Sequence, residues 1–500
     1  MKKHLPFRRK SCAILAGMAL MTFAHAQSPL PSENTRTTMK KPAAEKAPLI
    51  DSLEIVGVGV SLETWRNHPY YPDNNLWNAV EQSNGRYIIS QDPLQYPKDF
   101  RALQMMGAKR REDTVEAAMR EFMDRYPLPI SVVGPWDPEA HDAKGSETVR
   151  EANADSFVVT KDDAHYKERG EFAGLLFQSG QVINSYLHDN PDKLFNTVFK
   201  TFDHYGDLPA MGIASKDGMI ERVAHWYYTD KPTFEKMIDP AYHPKQSRIY
   251  SDSMTFLTLV RRGRIDWLRS FAPLVKDTMV LKIFSKGDTP ARNWSEFAGW
   301  KRPPPQPFVP TPYIATPWTE FQIDQFDHLE NRGTLHRPQV ISYLDEHRKP
   351  VKAAERQSRT EAALRAALAP LGGKMPARIF YDYGSVWEDR TSYTRYLPFV
   401  QSVHNIDEEF DLFDRKKSFD LAQILGDTGA GSPFVAVALA SMAAMQSGGA
   451  TLIANLRRND GATFILVTPP SAEQVKKDAD IDRPFWPREK MYPVKIENRY

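Results

Sequence analysis

The stretch from Leu425 to Met442 constrains this chain more than any other. It reads Leu-Gly-Asp-Thr-Gly-Ala-Gly-Ser-Pro-Phe-Val-Ala-Val-Ala-Leu-Ala-Ser-Met, and its one charged residue, Asp427, lies in the glycine-rich start. Gly426 and Gly429 can take backbone angles that other residues adopt only at a cost. Ser432 and Thr428 are placed to cap a helix, and Pro433 suits its first turn. The small apolar residues that follow leave no polar face wide enough for water. A helix buried in a core is therefore expected, with Ala436, Ala438, Leu439 and Met442 inside. A strand-like run, Gly461 to Val467, comes next and ends at Pro469-Pro470.

The rest of the chain supplies matching partners. Leu53 to Val60 is a β-branched run with two glycines, which suits a buried strand. Arg111 to Tyr126 has helical spacing, with Val115, Ala118, Met119, Phe122 and Met123 on one face. Pro127 and Pro129 stop it, and Ile130 to Val133 reads as a strand. Pro191 to Tyr205 is a second helix, lined by Leu194, Val198, Phe199 and Phe202, and Pro209 to Ala214 a second short strand. Lys352 to Leu371 is helical and Ala377 to Tyr381 strand-like. This alternation predicts an α/β chain of layered, mixed α/β architecture.

The ends and joints give a provisional division. Lys2, Lys3, Arg8, Arg9 and Lys10 precede an apolar run, Ser11 to Ala24, and Ala24-His25-Ala26 has the form of a cleavage site. Residues 1–26 thus read as a signal peptide cleaved after Ala26, with a periplasmic mature chain; an uncleaved inner-membrane anchor or a cytoplasmic chain is the alternative. Residues 27–47 read as a flexible leader. Residues 48–290 form an N-terminal α/β domain, 291–317 a proline-rich aromatic strap, 318–472 a C-terminal α/β domain and 473–500 a tail. Trp294, Trp300, Tyr313 and Trp318 punctuate the strap. They either pin it to the body or form a candidate partner-binding ridge.

Composition excludes several functions. Removing the five basic residues of the signal from 65 leaves 60 basic against 63 acidic residues, which does not describe a nucleic-acid binder. The only cysteine, Cys12, lies in the signal, so the mature chain has no disulfide and no thiol nucleophile. No later run is apolar for 18 residues, so no internal membrane span is expected. There is no Gly-x-Ser-x-Gly elbow, no His-Glu-x-x-His and no phosphate-binding loop. Gly57 and Gly59 lack the third glycine of a dinucleotide fingerprint. His243, His328 and His336 have no metal-ligand spacing, and no cofactor is expected. Asp407-Glu408-Glu409 reads as a solvated face.

Several segments together resemble the type VI lipase adapter family. They are Leu53–Val60, Ser90–Pro93, Thr316–Asp327, Leu335–Pro338, Pro376–Asp382, Leu425–Ala430 and Asn455–Phe464. The resemblance implies a non-catalytic adapter that binds a type VI phospholipase effector and assists its loading onto a VgrG spike protein. A periplasmic inhibitor or holdase of the same lipase is an alternative that the export signal suggests. The 53–60 strand and the 425–442 block also resemble thiolase-like condensing enzymes, which implies a fold of two similar halves around a central helix. In those enzymes a catalytic histidine stands where this chain has Asp427, in the loop Gly426, Asp427, Thr428 and Gly429. An ionised carboxylate there repels a developing oxyanion, so a scaffold without the chemistry is expected. A degenerate acyltransferase is the remaining alternative.

Overall fold

The computed structural model describes residues 49–66, 75–89, 97, 99–119, 130–133, 170–172, 175–177, 183–185, 193–218, 220, 251–276, 299–309, 314, 317–384 and 392–479. The signal, the leader, the 90–93 segment, His243, Trp294 and Tyr313 lie outside them.

The N-terminal half contributes β1 (Ser52–Leu62), α1 (Leu76–Gln82), α2 (Phe100–Met119), β2 (Ile130–Val133), β3 (Ile183–Ser185), α3 (Lys193–His204), β4 (Ala210–Asp217) and β5 (Ser253–Val260). The C-terminal half contributes α4 (Glu320–Asp327), β6 (Thr334–His336), β7 (Gln339–Ser342), α5 (Ala353–Ala367), β8 (Arg378–Asp382), α6 (Ser392–Ile406), β9 (Ser418–Asp420), α7 (Leu421–Leu425), α8 (Ser432–Gln446), β10 (Thr451–Asn455), β11 (Gly461–Thr468) and α9 (Ala472–Ala479).

One sheet runs through both halves in the order β9-β8-β10-β11-β6-β1-β5-β4-β2-β3, with β7 extending the line of β6 along β11. Counted from its outer edge, each half has its strands in the same order: third, second, fourth, fifth, first. In both, the outer pairs are parallel and the inner ones antiparallel. The two first strands meet in the middle, Ser52 opposite His336 and Leu53 opposite Leu335. The helices repeat too. One follows the first strand of each half (α2 and α5), and one precedes the fourth (α3 and α8). The expected mixed α/β fold of two similar halves is therefore present in the topology itself.

Local sequence explains the packing. On β1, Ile55, Val58 and Val60 face the α8 side of the sheet, while Gly57 and Gly59 face α2. A Cβ at Gly57 would sit 1.8 Å from the Ala118 carbonyl oxygen, and one at Gly59 1.8 Å from that of Thr114. The two glycines thus let the helix backbone rest directly on the strand. On the other face, α8 crosses the central strands of both halves, and its Phe434 stacks on Phe195 of α3 at 4.7 Å. Ala436, Val437, Ala438 and Leu439 are at most 2% exposed. Each large apolar side chain buried this way contributes on the order of 1.5–3 kcal/mol. Among the described residues, Gly429–Gln446 alone is long and apolar enough to cross a membrane, and 89% of it is buried inside the protein. It is a core helix.

Two helix starts differ from those the sequence predicts. The first helix begins earlier than its apolar spacing predicts, at Phe100, and residues 120–126 lie outside the described set. The N-cap of α8 is Gly431, with no side-chain capping bond, and neither Thr428 nor Ser432 caps it. The Ser432 hydroxyl has a different acceptor, the Asp382 carboxylate.

Candidate functional site

Every residue of the loop from Gly426 to Gly431 is buried where the two halves meet. Gly426 and Gly429 have φ of 77° and 55°, as the turn requires. A side chain at Gly426 would also run into the Ser251 hydroxyl, 2.5 Å from its Cβ. The loop's backbone groups are shared out between the halves. Asp427 Oδ1 accepts from Gly429 N at 2.7 Å and so closes the turn. Asp217, at the end of β4, accepts from Ala430 N at 2.7 Å. Ser251 N donates to the Asp427 carbonyl at 2.6 Å, and the Ser251 hydroxyl donates to the Leu425 carbonyl at 2.6 Å.

A buried ion triad stands behind the loop. Arg457 Nη2 donates to Asp427 Oδ1 at 2.7 Å, and its Nη1 to Asp382 Oδ2 at 3.1 Å. The side chains of Asp382 and Asp427 are 5% and 3% exposed. Burial works to lower the Arg457 pKa. The charges of Asp382 and Asp427 outweigh it and hold the guanidinium above its ordinary value. Asp382 also accepts from Ser432 and, at 2.8 Å, from Gly384 N. The site is a buried polar clamp, whose two carboxylates are taken up by arginine, serine and backbone amides.

Asp420 ends β9 and accepts from Gln423 N at 3.0 Å, capping α7. Burial, with the nearby Asp382 charge, pushes its carboxyl up to about 6, against hydrogen bonds from Gln423, Tyr383 and Ala422. A carboxyl unfolds with a pKa of about 3.9. The folded state therefore binds the extra proton, and this group's contribution falls as pH rises from about 4 through 6. Asp420→Asn keeps the cap and removes that loss. Its melting temperature is expected to match wild type near pH 4 and to exceed it at pH 8 by on the order of 2–4 °C. Equal melting at both pH values would contradict the assignment.

The strap residues divide. Trp318 is 1% exposed and packs edge-on against Phe326 at 5.5 Å, so its ring offers no surface to a partner. Trp300 is half-buried; its backbone bridges Val275, and its ring leans on Phe271 at 6.2 Å. Trp300 ties the strap to the N-terminal half, and Trp318 packs on α4 of the C-terminal half. His336 is satisfied by Thr468 at 3.0 Å, and its pKa is lowered by burial. His328 lies 3.2 Å from Asp324, one helical turn back. Among the described residues no group of three or more histidine, cysteine or acidic side chains could hold a metal.

Sequence reasoning found the loop, placed Ser432 as a helix cap and put Asp382 and Arg457 inside family-like segments, but gave none of Asp217, Asp382, Ser432 or Arg457 a role at this site. Each is an ordinary polar residue whose partner lies 30 to 213 residues away. The signals that could have found Asp382 and Arg457 are their place in the family-like segments and their position at or just after strand ends.

Residues 333–469 match the family described as type VI lipase adapter protein Tla3, C-terminal, and residues 51–235 match type VI lipase adapter protein Tla3, N-terminal. The two matches together take in more than half of the chain. The chain belongs to the type VI lipase adapter Tla3 family. It is also similar to the oxazolomycin ketosynthase domain OzmH KS8 of Streptomyces albus JA3453, at 10% identity over 85% of this chain and 96% of that one, with a TM-score of 0.38. A similar likeness holds to 3-oxoacyl-(acyl carrier protein) synthase III, FabH, of Pseudomonas aeruginosa PAO1, at 11% identity over 84% and 99% of the chains, with a TM-score of 0.35. Scores this low carry no argument, and the two-half architecture of this adapter-family chain rests on its own strand order.

Proposed function

We propose that the chain is a non-catalytic adapter that binds a type VI phospholipase effector and assists its loading onto a VgrG spike protein, acting in the periplasm after cleavage behind Ala26. Family membership across both halves is the observation that carries the reading. The buried glycine loop supports the non-catalytic part. Its aspartate is ion-paired with Arg457 and stands where condensing enzymes need a histidine. A mutated active site on a retained scaffold leaves the outer surfaces free to evolve toward binding.

The test is direct. Native protein is expected to have Gln27 as its first residue by mass spectrometry, and purified mature chain to form a stable complex with the type VI phospholipase of the same genome. A specific complex of this kind buries on the order of 1,600 Å². An intact Met1 overturns the periplasmic part, and absence of lipase binding overturns the adapter. The export-signal pattern of residues 1–26 supports a second reading, a periplasmic inhibitor or holdase of the same lipase. Phospholipase activity suppressed in the complex selects that reading over loading.

A further inference from the structure

At the start of the parallel strands β8 and β9 lies a groove of about 510 Å³, whose lining includes Met375, Ile406, Phe410, Lys374, Lys417 and Asp407. Met375, Ile406 and Phe410 pack against the core of the C-terminal half and are still only half-buried. Both lysines are exposed. Among the described residues neither is in an ion pair, and Asp407 is the one acid on the lining. Asp407 Oδ1 already accepts from Glu409 N at 3.0 Å. Two cations against one carboxylate leave the lining with a net positive charge. The backbone under both lysines is held. Gly372 and Gly373, with φ of 66° and 79°, turn the chain after α5, and Gly373 N donates to the Leu368 carbonyl at 3.0 Å. Lys417 N donates to the Asp414 carbonyl at 2.9 Å, and the Lys417 carbonyl accepts from Ile379 N of β8 at 2.7 Å.

We propose that this groove docks the type VI lipase through a lipase segment that carries an apolar side chain beside carboxylates. The proposal rests on the adapter reading above. The apolar floor takes the side chain, and Lys374 and Lys417 meet the acidic flank with complementary charge. A basic flank would face both lysines with only Asp407 to offset them. The half-exposed floor chooses a protein over a small anionic amphiphile. A small-molecule site closes over most of its ligand. Three apolar side chains left half in water are instead covered by a partner's surface, and that exclusion of water is what lets a few anchors carry the binding energy. The fixed backbone under both lysines lowers the ordering cost of association.

Isothermal titration of the full mature chain with the purified type VI phospholipase of the same genome tests this. The double change Lys374→Glu with Lys417→Glu is expected to weaken binding at least tenfold and to flatten its salt dependence. Both side chains are exposed, so melting should be unchanged. Lys476→Glu with Lys477→Glu makes the same charge change on exposed positions of α9 and is expected to bind like wild type. If the wild-type chain binds and the Lys374/Lys417 variant binds equally well, the groove is overturned and the adapter reading stands. If the two double variants weaken binding equally, the attraction belongs to the charge of the whole chain, and the groove is again overturned. Decanoate, a small anionic amphiphile, is titrated separately. Decanoate binding that the Lys374/Lys417 change abolishes, with lipase binding untouched, makes the groove a small-molecule site and overturns the proposal. If the wild-type chain does not bind the lipase, the adapter reading and the groove both fall.

Discussion

Ala438→Asp is expected to leave no cooperatively folded protein. Ala438 is 0% exposed in the middle of α8, which packs on the central strands and α1. An aspartate there has no basic partner and no water, and a buried unpaired charge costs several kcal/mol. A domain has only about 5–15 kcal/mol to lose. Because α8 touches both halves, the loss is not confined to one of them. The measurement is soluble yield together with a thermal melt followed by circular dichroism. A soluble variant with a normal melt would mean that the helix lies at a surface. Ala438→Ser, which can bond back to its own helix, is expected to cost far less.

Arg457→Ala is expected to destabilise by about 3–5 kcal/mol, because it strands two buried carboxylates. The rescue distinguishes charge from packing. Adding Asp382→Asn and Asp427→Asn to Arg457→Leu removes all three charges while nearly keeping the volume, and is expected to recover most of the loss. The three residues share one network, so the single effects do not add. Denaturant melts of the singles and the triple measure this. An Arg457→Ala variant within about 0.5 kcal/mol of wild type would show that water already screens the triad.

What local pattern determines was legible. The burial of α8 follows from its having no polar face, and the strand 52–62 from its β-branched residues. The glycines of that strand announce a close approach, although not that α2 makes it. Among the elements that escaped the reading, two show why. The helix α6 carries Pro398 inside it and is rich in tyrosine, serine and threonine, so propensity argues against it. The strand β5, Ser253–Val260, is buried on both faces, and its serine and threonine residues mask the apolar run expected of a central strand. The strap shows the converse limit. Its aromatic residues are plain in the sequence, but whether a tryptophan ring faces a partner or its own core depends on a neighbour such as Phe326 of α4.

The sequence by itself determined the class of fold, the turn at Gly426 and Gly429, and that Cys12 is the one cysteine, because these depend on residue type and on spacings of a few positions. Only the tertiary structure decided that Asp427 faces Arg457 and that Asp217 closes the loop from the other half. It alone also decided that the two halves repeat one strand order about the β1–β6 pair. Those contacts join residues tens to hundreds of positions apart. Their geometry is set by how the sheet closes, and no local periodicity encodes which distant partner will neutralise a buried charge.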